Sequence, residues 1–372
     1  MERVRDDQPW TLFDPADTPD LNERYGDDFN AAYIRLESSG LGRETISARK
    51  LWDRIITEQI ETGTPYMLYR DAINRTLSCV CSEVLGVLIP NCATGKSNHR
   101  NLGVINSGNL CTEIVQFSSP TDTAVCTLAS LRLDVFVDDD ENFNFAELHR
   151  VTKIVVRNTD RIVDINSYPT AEAQASAQNT RALGIGVQGL ADVFMMLRLP
   201  FESTSARLLN RAIFETIYHA AVDASCDLAR QKGPYPAWSG SPASELQLQF
   251  DLWNSRPSSR YDFDSLKARI RKYGLRNSLL TAQMPTSATS HITGVNDGTD
   301  PFLRYNSIRP CNASLTTISF SNLYVRRTLD GEFEMTCKWL VRELIYLDLW
   351  TEDVRHQLIR NHGKYPIFAF AP

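Results

Sequence analysis

The sequence is short of cysteine pairs, of long apolar runs and of positive charge, and each shortage excludes a class of protein. Eight cysteines are scattered over 372 residues, at 79, 81, 92, 111, 126, 226, 311 and 337, and none forms a C-x-x-C pair. That is too few for a disulfide framework and leaves no good ligand set for structural zinc. Cys79, Cys81, Cys92 and His99 are the poor set that remains, so no metal site is expected. Free cysteines usually end as small buried hydrophobes, and the question is whether any of these is reactive. No run approaches the roughly 20 apolar residues of a membrane span. Met1 opens onto Glu-Arg-Val-Arg-Asp-Asp instead of a signal peptide, so a cytoplasmic chain with no membrane partner is expected. Lys and Arg total 39 against 45 Asp and Glu, a net charge of −6, which argues against a nucleic-acid partner because phosphate binding needs a positive excess.

What is present is a globular composition, 42% hydrophobic and 23% charged, long enough for one large or two medium domains. A polar, turn-rich start to about Arg43 holds one helical patch, Asp27 to Ser38. Ile46, Leu51, Ile55, Ile56 and Ile60 predict an amphipathic helix from Thr45 to Thr62, stopped by Gly63 and Pro65. Cys111 to Val137 reads as extended segments joined by a turn at Ser118–Asp122. Leu148, Val151, Ile154, Val155, Ile162 and Val163 mark a second helix, and Val187 to Arg198 a third. The longest starts after the capping candidate Ser203 and ends at Gly233-Pro234. Asn277 to Met284 reads as a buried strand closed by Pro285, and Trp339 to Asn361 as a last helix closed by Gly363 and Pro366. Helices alternating with short apolar strands predict an α/β fold with a mostly parallel sheet. Two segments break the pattern: Thr76–Gly95, apolar without periodicity, and Leu303–Ser319, coil-like.

Asn109-Leu110-Cys111-Thr112-Glu113 is the pattern richest in chemistry. In an extended backbone, alternate side chains share a face, so Asn109, Cys111 and Glu113 would form one ridge carrying an amide, a thiol and a carboxylate. Cys126 follows past a turn and could return beside them. A half-exposed strand that happens to include a cysteine gives the same spacing. Gly184-Ile185-Gly186-Val187-Gln188-Gly189 formally matches G-x-G-x-x-G, but the preceding Ala171–Thr180 is polar and no strand, as a dinucleotide fingerprint would need. We read these glycines as points of close backbone packing and reject NAD binding. Pro285-Thr286-Ser287-Ala288-Thr289-Ser290 offers N–H and O–H donors to a phosphate at a strand's carboxyl end; an ordinary N-cap turn fits equally well. His291 and the pair Arg326-Arg327 read as structural or solvated groups.

Four stretches in register carry more than their parts: ETGTPYMLYRD (Glu61–Asp71), SGNLCTEIVQFSSPTDTAVCTLASL (Ser107–Leu131), GIGVQGLADVFMMLRLPFES (Gly184–Ser203) and RNSLLTAQMPTSATSHITG (Arg276–Gly294). Together they closely resemble the large, catalytic subunit of class I ribonucleotide reductase of the eukaryotic type, from Trp10 to about Gly363. The resemblance implies a partial ten-stranded α/β barrel, made of the finger loop and the second half-barrel. It implies Cys111 as the thiyl radical at the loop tip, Glu113 as acceptor of the 3′-hydroxyl proton, Asn109 as a hydrogen-bonding group on the sugar and Cys126 as one half of the redox dithiol. Thr286, Ser287, Ala288 and Thr289 would grip the substrate diphosphate. Confining a radical to a dry cavity limits side reactions, so the cysteine belongs inside.

The same resemblance implies reduction of ribonucleoside diphosphates to 2′-deoxy forms, with no cofactor on this chain. Implied partners are a small subunit carrying the diiron-tyrosyl radical, thioredoxin or glutaredoxin, and a second copy in a homodimer. ATP and dNTP effectors belong to the family, at sites expected to be absent here together with the first half-barrel, the second redox cysteine and the mobile cysteine tail. Thr127 stands where the family usually has Asn, and the loop reads TSAT where TAST is typical. Family-like sequence stops at Arg75, resumes at Lys96, stops at Phe302 and resumes at Phe320. The expectation is that both inserts are unspliced intron sequence and that both ends are misassigned. The divisions expected are 1–140, 141–363 and a non-family tail, 364–372. Such a chain is expected to show no turnover alone. Two alternatives stay open: a non-catalytic remnant that binds full-length reductase subunits, and a hydrolase using Cys111 with Glu113, which lacks a nearby histidine.

Overall fold

The computed structural model describes residues 1–74, 97–301, 303–305, 318–320, 323–328 and 331–361. Thr76–Gly95 lies outside the described residues, as do all but the ends of Leu303–Ser319, the stretch 364–372, and Cys79, Cys81, Cys92 and Cys311. The chain divides into two units, one of residues 1–130, 145–186 and 209–284, the other of 131–144, 187–208 and 285–372.

The first unit begins with an antiparallel pair, β1 (Pro9–Leu12) on β2 (Glu44–Ser47), in register Trp10↔Ile46. Tyr33, buried on the helix Gly26–Ser38, locks β1 by accepting from Thr11 N–H at 2.7 Å and donating to Thr11 O at 2.9 Å. The helix expected from Thr45 begins at Ala48, because Ser47 caps it by accepting from Lys50 N–H, and the three residues before it are spent on β2. Gly63 ends it in the left-handed region, φ 78°.

The core of this unit forms around two helices. Phe145–Ile165 buries Leu148, Thr152, Val156, Thr159, Asp160 and Val163, a stripe with spacings near three and four. The helix Thr204–Lys232 starts where Ser203 accepts from Ala206 N–H at 3.1 Å and stops at Gly233, φ 82°, as its flanking residues predict. It buries Ile213, Phe214, Ile217, Ala220, Ala221, Ala224 and Cys226. Full burial of each large aliphatic side chain contributes about 1.5–3 kcal/mol.

β3 (Thr127–Arg132) pairs with β4 (Leu183–Gln188). Thr127 N–H donates to Ala182 O and Leu133 N–H to Gln188 O, an ascending order that makes the pair parallel. All six residues of β4 are buried. On its other side Leu183 and Ile185 donate to Leu279 and Leu280, and Ile185 bridges Thr281 in parallel. The segment 277–284 is buried apart from half-buried Gln283, but it is not the strand expected: it meets β4 through these bonds and a single bridge at Thr281.

The second unit holds the helix Leu190–Met196, the short helix Ser287–Thr293 and two antiparallel pairs, β5 (Leu303–Tyr305) with β6 (Ile318–Phe320) and β7 (Leu323–Thr328) with β8 (Gly331–Thr336). Arg326 and Arg327 lie on β7 opposite Phe333 and Glu332. Trp339–Asn361 is not one helix but two, Lys338–Tyr346 and Glu352–Arg360. Asp348 takes φ 56°, and Thr351 caps the second helix by accepting from Val354 N–H.

The expectation of a mostly parallel sheet is corrected. The content is mixed α/β, but among the described residues only β3–β4 is a parallel strand pair, and three of the four two-stranded sheets are antiparallel. The described strands close no barrel. The G-x-G-x-x-G glycines also sit differently from expectation, within β4 instead of where a helix begins, and only Gly189 caps the helix that follows. Their packing role stands: a Cβ on Gly186 would lie 2.5 Å from Ala282 O, and one on Gly184 3.0 Å from Cys126 Sγ. There is no room there for a phosphate.

Candidate active site

The residues 108–114 form a tight turn, not the extended ridge expected. Asn109 N–H donates to Ile114 O at 3.2 Å, and the Asn109 side-chain oxygen accepts from Ile114 N–H at 3.0 Å. Thr112 donates back to Asn109 O and adopts φ 67°. Those bonds replace the strand alternation on which the shared face of Asn109, Cys111 and Glu113 depended. Cys111 is exposed beside Leu110, which is 86% exposed, while Glu113 turns inward and is 9% exposed. Among the described residues nothing provides the expected enclosure of Cys111.

The base of the turn is firmly held. Ile73, Ile105 and Val115 form a buried cluster with Leu68 and Phe117. Asn74 clamps Ile105 by donating to its carbonyl and accepting from its N–H, each at 2.9 Å. Ser97 donates to Val115 O, and Phe117 N–H donates to His99 Nδ1. That bond leaves the His99 proton on Nε2, which donates to Ser278 Oγ at 2.7 Å. Burial pushes the imidazole pKa down to about 4. With both ring nitrogens engaged, His99 is structural and unavailable to the zinc set weighed from sequence.

Cys126 returns beside Glu113 and Gln116. Burial pushes its thiol up to about 12; the Gln116 amide against the sulfur lowers it somewhat, and the Glu113 charge raises it. Glu113 Oε2 and both amide atoms of Gln116 are buried without a full hydrogen bond among the described residues. Sequence reasoning missed Gln116. Its only signal is a position three residues after Glu113, next to Val115 and Phe117, which the core claims.

In the second unit, Thr286 is buried and its two donors are already used. Its N–H and Oγ1–H both donate to Asp297 Oδ1, at 2.7 and 2.5 Å, and Gly298 N–H donates to Thr286 Oγ1. Ser287, Ala288 and Thr289 are exposed, although the Thr289 hydroxyl donates to Gln188 Oε1 at 3.1 Å. Nothing in the sequence marked Asp297, eleven residues away, as the partner of Thr286. Buried Asp192 fixes the same loop, accepting from Asn296 N–H at 2.7 Å and from Trp339 Nε1–H at 2.6 Å. Its burial holds its carboxyl above the usual carboxylate range. His291 is exposed.

Comparison with known proteins decides the family. The family model described as "Ribonucleotide reductase, barrel domain" matches residues 1–370. The chain belongs to the ribonucleotide reductase family. It is 46% identical to the ribonucleoside-diphosphate reductase large chain of Neurospora crassa, over 98% of this chain and 35% of that protein. With large chain 2 of Saccharomyces cerevisiae the identity is 45%, over 98% of this chain and 38% of the relative. With the large subunit of Caenorhabditis elegans it is 43%, over 98% and 42%. This reductase chain thus spans well under half the length of these relatives. The resemblance carried by the four sequence stretches is borne out. Among the described residues no group of three or more His, Cys, Asp or Glu could hold a metal ion, and no helix is long and apolar enough to cross a membrane.

Proposed function

We propose that the chain supplies part of the catalytic apparatus of a cytoplasmic ribonucleoside-diphosphate reductase large subunit. It would contribute the finger loop and the second half of a ten-stranded barrel. Cys111 is the sulfur that carries the radical and exchanges hydrogen with the ribose 3′ C–H. Glu113 accepts the 3′-hydroxyl proton, Asn109 hydrogen-bonds the sugar, and Cys126 belongs to the dithiol that reduces the substrate. Ser287, Ala288 and Thr289 meet the diphosphate on a loop organised by Thr286. The small subunit's diiron-tyrosyl centre supplies the oxidising equivalent, and thioredoxin or glutaredoxin returns the dithiol. Homodimer formation and ATP or dNTP control belong to the same proposal.

The observation that carries this reading is the 46% identity along 98% of the chain. It is supported by a turn that presents Cys111 while burying Glu113 beside half-buried Cys126. An exposed sulfur cannot protect a radical, so the isolated chain is expected to reduce no CDP with dithiothreitol and a small subunit. The direct test is a chimera in which residues 97–301 replace the matching stretch of the Saccharomyces large chain 2. CDP reduction that disappears with Cys111→Ser supports the proposal. Equal turnover by the Cys111→Ser chimera refutes it.

A further inference from the structure

Cys126 is not a lone thiol in an apolar wall. Leu128 and Ala282 close around its sulfur where Gly184 leaves space, and a Cβ there would meet all three. The two polar side chains that reach this wall are Glu113 and Gln116, and Glu113 is the charged group that faces the sulfur among the described residues. Gln116 is only 4% exposed, and neither its oxygen nor its nitrogen has a full hydrogen bond. Burying an unpaired amide is costly, so its place beside a sulfur calls for an explanation. The backbone on either side allows it little choice of place. Val115 O accepts from Ser97, and Phe117 N–H donates to buried His99, so residue 116 is pinned from both neighbours.

We propose that Gln116 is a positioning residue for Cys126, its side-chain N–H₂ donating to Sγ and holding negative charge there whenever the sulfur is a thiolate. The chemical need is specific. Burial and the nearby Glu113 carboxylate both disfavour a thiolate at this place, whereas thiol–disulfide exchange requires one, either as attacking group or as leaving group. A neutral amide supplies a donor without a second charge, which would draw Glu113 away into an ion pair. The inference rests on the reading of Cys126 as a redox thiol, but its test does not depend on turnover.

The test is peptide-resolved alkylation of the whole 372-residue chain by iodoacetamide between pH 7 and 10, following Cys126 with exposed Cys111 as internal control. Gln116→Met keeps length and apolar packing but removes the donor. It should slow modification of Cys126 roughly tenfold at pH 9, as expected for loss of a hydrogen bond to a charged group, and leave Cys111 unchanged. Gln116→Glu, nearly isosteric, should slow it at least as much, and it carries the test if the Met variant does not fold. An unchanged or faster rate at Cys126 overturns the proposal, because an amide that merely filled space would, on removal, loosen the wall and admit the reagent. Failure of the redox reading would show instead as a chimera indifferent to Cys126→Ser, with the alkylation ratio intact.

Discussion

Replacing Asp160 with alanine removes the acceptor on which the buried polar network of the first unit converges. Asp160 is fully buried; its Oδ1 accepts from Arg181 Nε at 2.9 Å and from Asn277 Nδ2 at 3.0 Å, and its backbone carbonyl accepts from Arg181 Nη2. Lys232 Nζ lies 3.5 Å from Oδ2 and Arg276 Nε 3.8 Å from Oδ1. Arg181 is 4% exposed, and among the described residues Asp164 at 2.6 Å would be its one remaining ion-pair partner. Breaking one side of a buried pair typically costs about 3–5 kcal/mol, and the surviving Asp164 contact puts the expectation near about 3 kcal/mol. For a unit of this size that corresponds to a fall of roughly 6–12 °C in melting temperature. The assay is urea unfolding followed by circular dichroism, with Asp160→Ala, Arg181→Met and the double variant. The double variant should lose less than the sum, since neither member of the Asp160–Arg181 pair is then left buried without the other. A loss below about 1 kcal/mol for Asp160→Ala, or strict additivity, would refute the argument that this network is energetically coupled.

Two further outcomes follow from other contacts. The bidentate Arg3 partner, at 2.8 Å to each oxygen, and a bond from Thr11 hold the Glu37 carboxyl down to about 2. Because the folded value is depressed, the stabilisation is complete above about pH 4.5 and is lost as pH falls toward 2. Discounted for solvent screening it is about 1 kcal/mol. Glu37→Gln should therefore flatten the acid limb of a stability–pH curve below pH 4.5, and an unchanged limb would sink the assignment. Gly186→Ala should destabilise by about 1–3 kcal/mol and by more than Gly184→Ala, because its methyl would meet a backbone carbonyl at 2.5 Å while the other meets the flexible end of Leu128 at 2.6 Å. Thermal melts of both variants rank them, and the reverse order would show that β4 can shift to make room.

Elements bounded by local chemistry were legible in the sequence. Ser203 and Gly233 mark the ends of the helix Thr204–Lys232 because a cap and a left-handed stop act on their own backbone. Boundaries set by distant partners were not. β2 hid inside an apparent helix because Ile46 keeps the helical phase, while its pairing partner, β1, lies over thirty residues away. The break at Asp348 was masked by Leu347, Leu349 and Trp350, which continue the apolar pattern across it. At the candidate site the residues were legible through motifs, but their orientation was not. Alternation assumed a strand at 109–113, and the Asn109 side chain instead closes a turn on Ile114. Gln116, Asp297 and the His99 tie to Ser278 depend on long-range proximity that no spacing announces.

The neighbouring side chains of Asn98 and His99 join stretches far apart in the chain. Asn98 donates to Ser278 O and to the Tyr235 hydroxyl and accepts from Ala243 N–H, while His99 spans from Phe117 to Ser278. The root of the cysteine-bearing loop is thereby riveted to the unit's interior at several points. Any displacement of the Cys111 sulfur must then arise within the turn beyond Ile105 and Val115, whose backbones are tied to Asn74 and Ser97.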